Sequence, residues 1–337
     1  MVVKMKKYLK YILAVILIVT FIVCGYFSFY KKTKEYSKNL FYMDTYINVK
    51  LSTDLGAAKA NELLDGVESI YNKYQLLTDT YNTESDIYYI NNNDSTDDEL
   101  TINSDLYDML ELSLYWYKKS NGKFNINMGS VIAVWKKYRD AGTGVPTLEE
   151  LTNSGSININ NVVLLDNDKI KNTKPDIDLG GISKGYTTGK AAEYLKANGI
   201  DSFIINAGGN VVVGKNATKD YYSIGIENPE DTSDIYQVVK GNNIAVVTSG
   251  GYERFYEYNG VRYHHIIDPD TLFPANNMLS VTIVASDSGL ADILSTTLFL
   301  MQPKDAIDLV NSLDDVEAII YVDANTILKS DGFGKYE

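Results

Sequence analysis

The chain has 337 residues, 45% of them hydrophobic, enough to bury the core of one large domain or two small ones. Its 31 Lys and Arg against 44 Asp and Glu give a net charge of −13. That excludes a duplex nucleic-acid binder, which needs a basic face, but admits an anionic small molecule if a metal ion supplies positive charge. A single cysteine, Cys24, excludes an internal disulfide and a cysteine-based zinc site.

Residues 1–10, "MVVKMKKYLK", are a basic amino terminus, and 11–30 contain no charged residue. That run is about the length a helix needs to cross a bilayer, so an uncleaved membrane anchor is expected there. A lipoprotein modified at Cys24 is the alternative, although Val23 stands where a small residue belongs. Both readings put the body of the protein on the extracytoplasmic side of the cell membrane. Residues 31–40 read as a polar tether, and 41–337 as the globular catalytic domain.

Within that domain "TYINVKL" reads as a strand, and "LGAAKANELLDGVESIYNKY" carries apolar residues at helical spacing. "INNNDSTDDEL" is an acidic, solvated loop, followed by a helix at "DLYDMLELSLYWYKKS" that Asn121-Gly122 ends. Strands are expected at "VVLLD", "SFIIN", "NVVVG", "IAVVTS", "RYHHIID", "SVTIVAS" and "AIIYVD". Helices fit "ISKGYTTGKAAEYLKANG", "GLADILSTTLFLM" and "PKDAIDLVNSL". Strands come in runs instead of alternating strictly with helices, so the class is α+β, with mixed, largely antiparallel sheets and packed helices.

Four stretches could carry chemistry. "DIDLGGISKGYTTGK" (176–190) turns at Gly180-Gly181 from a strand end into a helix whose first turn holds Lys184. It fits neither the P-loop nor the dinucleotide glycine pattern. Orphan N–H groups at that helix end attract anions; a tight turn beside a surface lysine is an equal reading. In "SDSGLADILSTTLFLM", Asp292 and Thr296 are four apart and share a helix face as hard oxygen donors for magnesium or calcium. Taken alone, Asp292 is better explained as a favourable charge near a helix amino terminus. "VVTSGGYERFYEYNGVRYHHIIDPDTLFP" reads as a strand, a polar turn, a hairpin around Asn259-Gly260 and a second strand. His264 and His265, the only histidines, point to opposite faces there, so at most one faces a site. In "NAGGNVVVG", Gly208-Gly209 mark a bulge or a close approach of ligand to backbone.

From Met43 onward the chain resembles the ApbE family of FAD:protein FMN transferases. The resemblance is carried in order by "MDTY", "TYNTESDIYYIN", "GKFNINMGSVIAVW", "DIDLGGISKG", "INAGGNVVVG", "IGIENP", "VTSGGYERF", "HHIIDPDT" and "SVTIVASDSGLADILSTTLFLM". It implies the ApbE-like flavin transferase fold, FAD as substrate, and Mg2+ or another divalent metal as cofactor. The implied reaction transfers FMN to a Ser or Thr hydroxyl of an extracytoplasmic acceptor protein and releases AMP. The resemblance further implies that Asp292, Thr296 and the main-chain carbonyl of Gly181 hold the metal. Ser295 joins this set, standing where some members carry a third carboxylate. Met43, Tyr81, Lys123, Phe124, Asn125, Asp178, Lys184 and Ile267 would contact FAD, and His265 would be the general base. Departures from the family pattern are Leu272 for a glycine after "DPDT", Asn125 for an aspartate and Ser130 for a proline. The rival readings are a Mg-dependent FAD pyrophosphatase and a non-catalytic, membrane-tethered FAD-binding protein.

Overall fold

The computed structural model describes residues 15–21, 33–94 and 98–337. In chain order the first elements are β1 (Lys34–Tyr42), β2 (Thr45–Thr53), α1 (Ala57–Thr78), α2 (Asp86–Asn92), β3 (Glu99–Thr101) and α3 (Ser104–Lys119). Next come α4 (Gly129–Ala141), α5 (Leu148–Thr152), β4 (Leu164–Leu165), β5 (Lys169–Lys171) and α6 (Ser183–Ala197). Then follow β6 (Ser202–Ala207), β7 (Asn210–Val213), β8 (Tyr222–Asn228), β9 (Asp231–Gly241), β10 (Ile244–Gly250), β11 (Phe255–Tyr258) and β12 (Val261–His264). The chain closes with β13 (Ser280–Ala285), α7 (Ser288–Phe299), α8 (Pro303–Asn311), β14 (Val316–Asp323) and β15 (Thr326–Lys329).

An eight-stranded sheet in the order β1-β2-β6-β7-β10-β13-β14-β15 forms the frame. Every neighbouring pair in it is antiparallel. Alternation along the strands gives the sheet two apolar faces. Phe203, Ile205, Ala245, Val247, Val281 and Ile283 join the main core with α1, α6 and α7. Val213, Ile244, Val246, Val284 and Ile319 look the other way, against Ile226 and Val239 of the β8–β9 ribbon and Phe333. The expected α+β class, with largely antiparallel sheets and packed helices, is what forms.

Two tight hairpins bear on the site. Asn259 and Gly260 both have positive φ, 52° and 76°, joining β11 to β12 as the sequence indicates. Met43 and Asp44 do the same between β1 and β2, with φ of 54° and 58° although neither is glycine.

Several expectations are corrected. The tether over 31–40 is mostly strand: Lys34–Tyr42 is β1, because Tyr36, Lys38 and Leu40 alternate onto the covered face while paired with β2. "VVLLD" shrinks to the two residues of β4. "RYHHIID" stops at His264, where the His265 N–H turns to the Arg254 carbonyl at 3.1 Å and Ile266, Ile267 and Asp268 are buried in succession. The β8–β9 ribbon was not foreseen. The anchor expected over 11–30 falls outside the described residues except for 15–21, which are helical and exposed. Among the described residues no helix is long and apolar enough to cross a membrane.

Candidate active site

Residues 176–179 are held extended by neighbours distant in sequence. The Asn91 amide donates to the Ile177 carbonyl and accepts its N–H, both at 2.8 Å. The Asp178 N–H donates to Ile126 O, and the Gly129 N–H to Asp176 O. Asp178 Oδ1 then accepts the Gly180 N–H at 2.8 Å, which turns the chain into α6. Here α6 meets α7 closely. A Cβ on Gly185 would lie 2.3 Å from the Ser288 carbonyl oxygen and 2.4 Å from Asp292 Cβ, so only glycine fits.

That contact creates an oxygen cluster. The Gly185 N–H donates to Asp292 Oδ2 at 2.7 Å, not to the Gly181 carbonyl one helical turn before it. The Gly181 carbonyl, the second Asp292 oxygen and the Thr296 hydroxyl are left without a hydrogen-bond partner among the described residues. Thr296 Oγ1 lies near Gly181, 3.5 Å from where a Cβ would stand on it. Asp292 is buried, and desolvation pushes its carboxyl above the usual range, against the pull of Lys184 and the Gly185 N–H. A buried carboxylate whose charge is disfavoured, joined by a carbonyl and a hydroxyl, fits a hard divalent cation. Among the described residues no cluster of three or more His, Cys, Asp or Glu offers a different metal site.

The cluster forms one end of a cavity of about 220 Å³. Lys184 lines the same wall and makes no ion pair among the described residues. Across from it stand Glu253, Arg254 and His265. The His265 Nδ1 faces the Arg254 carbonyl at 3.3 Å, so its proton belongs there and Nε2 is left as an acceptor. Burial, then the charges of Lys184 and Arg254, lower this imidazole to about 3. His264 is occupied elsewhere: Nε2 meets Ala275 O at 2.7 Å, Nδ1 accepts the Ile266 N–H, and the ring lies edge-on to Phe299. The two adjacent histidines therefore have separate jobs. Glu253 keeps solvent access through the cavity mouth, yet the crowded walls desolvate its carboxyl and push it up to about 7 despite Lys184 and Arg254.

Apolar side chains complete the lining. Ile126, Met128 and Ile267 contribute, with Tyr81 largely exposed, and the Phe124 ring edge lies at the oxygen cluster, 3.0 Å from where a Cβ would stand on Gly181. Lys123 donates to Asp268 at 2.9 Å and pairs with Asp270 at 2.8 Å. Burial opposes its charge, but hydrogen bonds to Asp270 and Asp268 outweigh this and raise its pKa.

The cavity thus brings together Tyr81, Lys123, Phe124, Asn125, Asp178, Gly181, Lys184, His265, Ile267, Asp292 and Thr296. Asn125 serves the wall itself, since its amide bonds Ile157 O and the Asn127 N–H. Two expected residues lie off the wall. Met43 sits in the β1–β2 turn, with its neighbour Asp44 at the cavity. Ser295 is fully buried, its hydroxyl donating to Asp292 O and sharing a 2.8 Å bond with Ser249, which reaches the cavity instead. Glu253, Arg254 and Asn210 carry no motif of their own in the sequence, although "GGN" puts an amide directly after paired glycines and "GGYERF" puts two charges just beyond them.

Several known proteins resemble this chain in sequence and in fold. A protein named FAD:protein FMN transferase from Treponema pallidum (strain Nichols) is 29% identical over 86% of this chain and 84% of its own length. One of the same name from Haemophilus influenzae is 28% identical over 97% and 96%. The solved ApbE protein of Thermotoga maritima MSB8 superposes with a TM-score of 0.79 at 26% identity, covering 90% of this chain and 99% of that one. The flavin transferase ApbE of Vibrio cholerae shares the fold, with a TM-score of 0.79 at 23% identity over 90% and 100%. The ApbE family model matches residues 43–320, which include every cavity residue named above, and the chain belongs to the ApbE family.

Proposed function

We propose that the protein transfers FMN from FAD to a Ser or Thr hydroxyl of an acceptor protein. The observation that carries this reading is the oxygen cluster of Asp292, Thr296 and the Gly181 carbonyl beside Lys184, in a cavity also lined by the apolar and aromatic side chains of Phe124, Met128, Ile267 and Tyr81. The oxygen cluster suits a diphosphate with its cation, the apolar lining an aromatic ring system.

In the reaction the acceptor oxygen attacks the FMN phosphorus, a P–O bond to the acceptor forms, and the anhydride bond to AMP breaks. Asp292, Thr296 and the Gly181 carbonyl would hold a divalent cation, which when bound would supply charge neutralisation at the phosphates and stabilise AMP as leaving group. Lys184 adds fixed positive potential beside them. His265 accepts the hydroxyl proton at Nε2. Its low basicity comes from burial and from Lys184 and Arg254, and a diphosphate counters both charges, so ligand arrival makes the imidazole a better base. Tyr81 and Phe124 flank the rings, and Lys123, fixed by Asp268 and Asp270, lines the same cavity. The uncharged run over 11–30 supports a membrane anchor and an acceptor outside the cytoplasm.

The test is incubation of the full chain with FAD, Mg2+ and a candidate acceptor domain, followed by mass spectrometry of the acceptor. Addition of FMN with one AMP released per adduct is expected. AMP and free FMN appearing at the same rate with or without acceptor would instead identify a pyrophosphatase. Intact FAD after hours would sink both.

A further inference from the structure

Glu253 lines the cavity and is exposed to solvent, and its carboxylate has no hydrogen bond or ion pair among the described residues. Its Oε1 lies over the bare Cα of Gly209, 2.6 Å from where a Cβ would stand. Beside it Thr45 Cγ2 packs on Gly208, 2.8 Å from the corresponding point. Arg254 ties the Met43–Asp44 turn to the same loop through its bonds to both carbonyls. Asp44, Gly208 and Glu253 are all exposed lining residues, so together they frame a mouth where solvent meets the cavity.

Charge and position decide what this mouth admits. An ionised carboxylate only accepts hydrogen bonds. Phosphoryl oxygens carry no donor and repel it, so the FAD diphosphate is not the group that Glu253 is placed to hold. A partner with N–H or O–H groups suits it, and the partner that arrives from solvent once FAD fills the cavity is the acceptor polypeptide. The carbonyl of Arg254, the next residue along, accepts the His265 N–H at 3.1 Å and faces its Nδ1 at 3.3 Å. Consecutive Cα atoms are about 3.8 Å apart, so a segment resting on Glu253 lies close to the support of the base. We propose that Glu253 is a binding residue for the acceptor protein, its carboxylate accepting a hydrogen bond from the segment that presents the Ser or Thr at the mouth framed by Asp44 and Gly208. The inference rests on the transfer reading above and extends it to the side from which the second substrate enters.

The experiment compares the full chain with its Glu253→Gln and Glu253→Ala variants, using an acceptor domain that the wild type flavinylates. Three quantities are read: KM for the acceptor at saturating FAD, Kd for FAD by flavin fluorescence, and the number of Mn2+ ions bound with FAD by electron paramagnetic resonance. Glu253→Ala should raise the acceptor KM about tenfold, the scale of one hydrogen bond to a charged group. Glu253→Gln keeps an accepting oxygen without the charge and should raise it severalfold. FAD affinity and the Mn2+ count should match wild type in both. An unchanged acceptor KM in Glu253→Ala would overturn the proposal. Weaker FAD binding would overturn it too, because the carboxyl would then serve a hydroxyl, amine or phosphate of the dinucleotide. Loss of a bound Mn2+ would make Glu253 a cation ligand and overturn it likewise. If Glu253→Ala does not fold, Glu253→Gln decides the matter. A wild type that flavinylates no acceptor would count against the functional reading and would be seen separately.

Discussion

The guanidinium of Arg254 donates to the carbonyls of Met43 at 3.2 Å and Asp44 at 2.9 Å, and to Thr45 Oγ1 at 3.1 Å. It thereby caps a hairpin turn whose two central residues both sit in the left-handed region without being glycine. Backbone strain of this kind persists only where surroundings hold it. Arg254→Ala should lower unfolding stability by about 2 kcal/mol, the scale of hydrogen bonds to a charged group. Arg254→Lys should recover part of that, since all three bonds leave from the single nitrogen Nη2 and an ammonium also carries three donors. Urea denaturation monitored by tyrosine and tryptophan fluorescence reads both.

Asp292→Asn keeps an oxygen to accept the Gly185 N–H but removes the charge that a cation needs. Thr296→Val keeps the volume and removes the hydroxyl. Each should reduce Mg2+-dependent FMN transfer by about a hundredfold or more while leaving the thermal midpoint in chelator within a few degrees. Chelating the wild type should reproduce the loss reversibly. Undiminished transfer in Asp292→Asn would remove that carboxylate from the metal site.

Glu253 and His265 tilt the pH dependence of stability in opposite directions. The Glu253 carboxyl is raised to about 7 from 4.5, so it binds more protons folded than unfolded. Its contribution is fully present below pH 4.5 and lost as pH rises through 7. The His265 imidazole is lowered to about 3 from 6.5, so its contribution is present above 6.5 and lost as pH falls toward 3. The two slopes oppose each other between 4.5 and 6.5. In chelator, Glu253→Gln should make the thermal midpoint climb more steeply with pH across that window, and His265→Gln should make it climb less or fall. Parallel curves for both variants and wild type would mean that neither group is perturbed.

Leu272 stands where the resemblance implied a glycine, and its backbone is glycine-like, with φ of 64°. Its N–H donates to Asp268 O and its carbonyl accepts the Trp135 indole N–H at 2.8 Å, while the side chain is buried in the cluster of Trp135 and Ile267. Leu272→Ala should cost about 2–4 kcal/mol through the lost packing. Leu272→Gly should be milder than the alanine variant by about 0.5–1 kcal/mol, because here the left-handed penalty on a Cβ outweighs glycine's entropy cost. The reverse order by denaturant titration would show that this turn is unstrained.

Much of this was written in the sequence as local pattern. The spacing of Asp292 and Thr296 puts two oxygens on one helix face, and Asn259-Gly260 specifies its hairpin, because both depend on residues close in the chain. Ser295 was misplaced because one step along a helix rotates a side chain by about 100°. That turns it from the cavity toward Ser249. The free carbonyl of Gly181 has no residue signature at all, since any residue has a carbonyl; only the diversion of the Gly185 N–H exposes it. Glu253 and Arg254 follow a glycine turn with no local pattern that marks them, and only the fold brings both to the cavity. The β8–β9 ribbon escaped notice because it is polar along most of its length, burying fully only Ile226 and Val239 of its apolar side chains.

The hydrogen bond from Gly185 to Asp292 spans 107 positions of chain, yet it finishes the opening turn of a helix. A nascent polypeptide that has emerged only as far as β10 holds Lys184 and both paired glycines but cannot complete that turn. The three oxygens therefore come together only after α7 has docked against α6, late in the order of the chain.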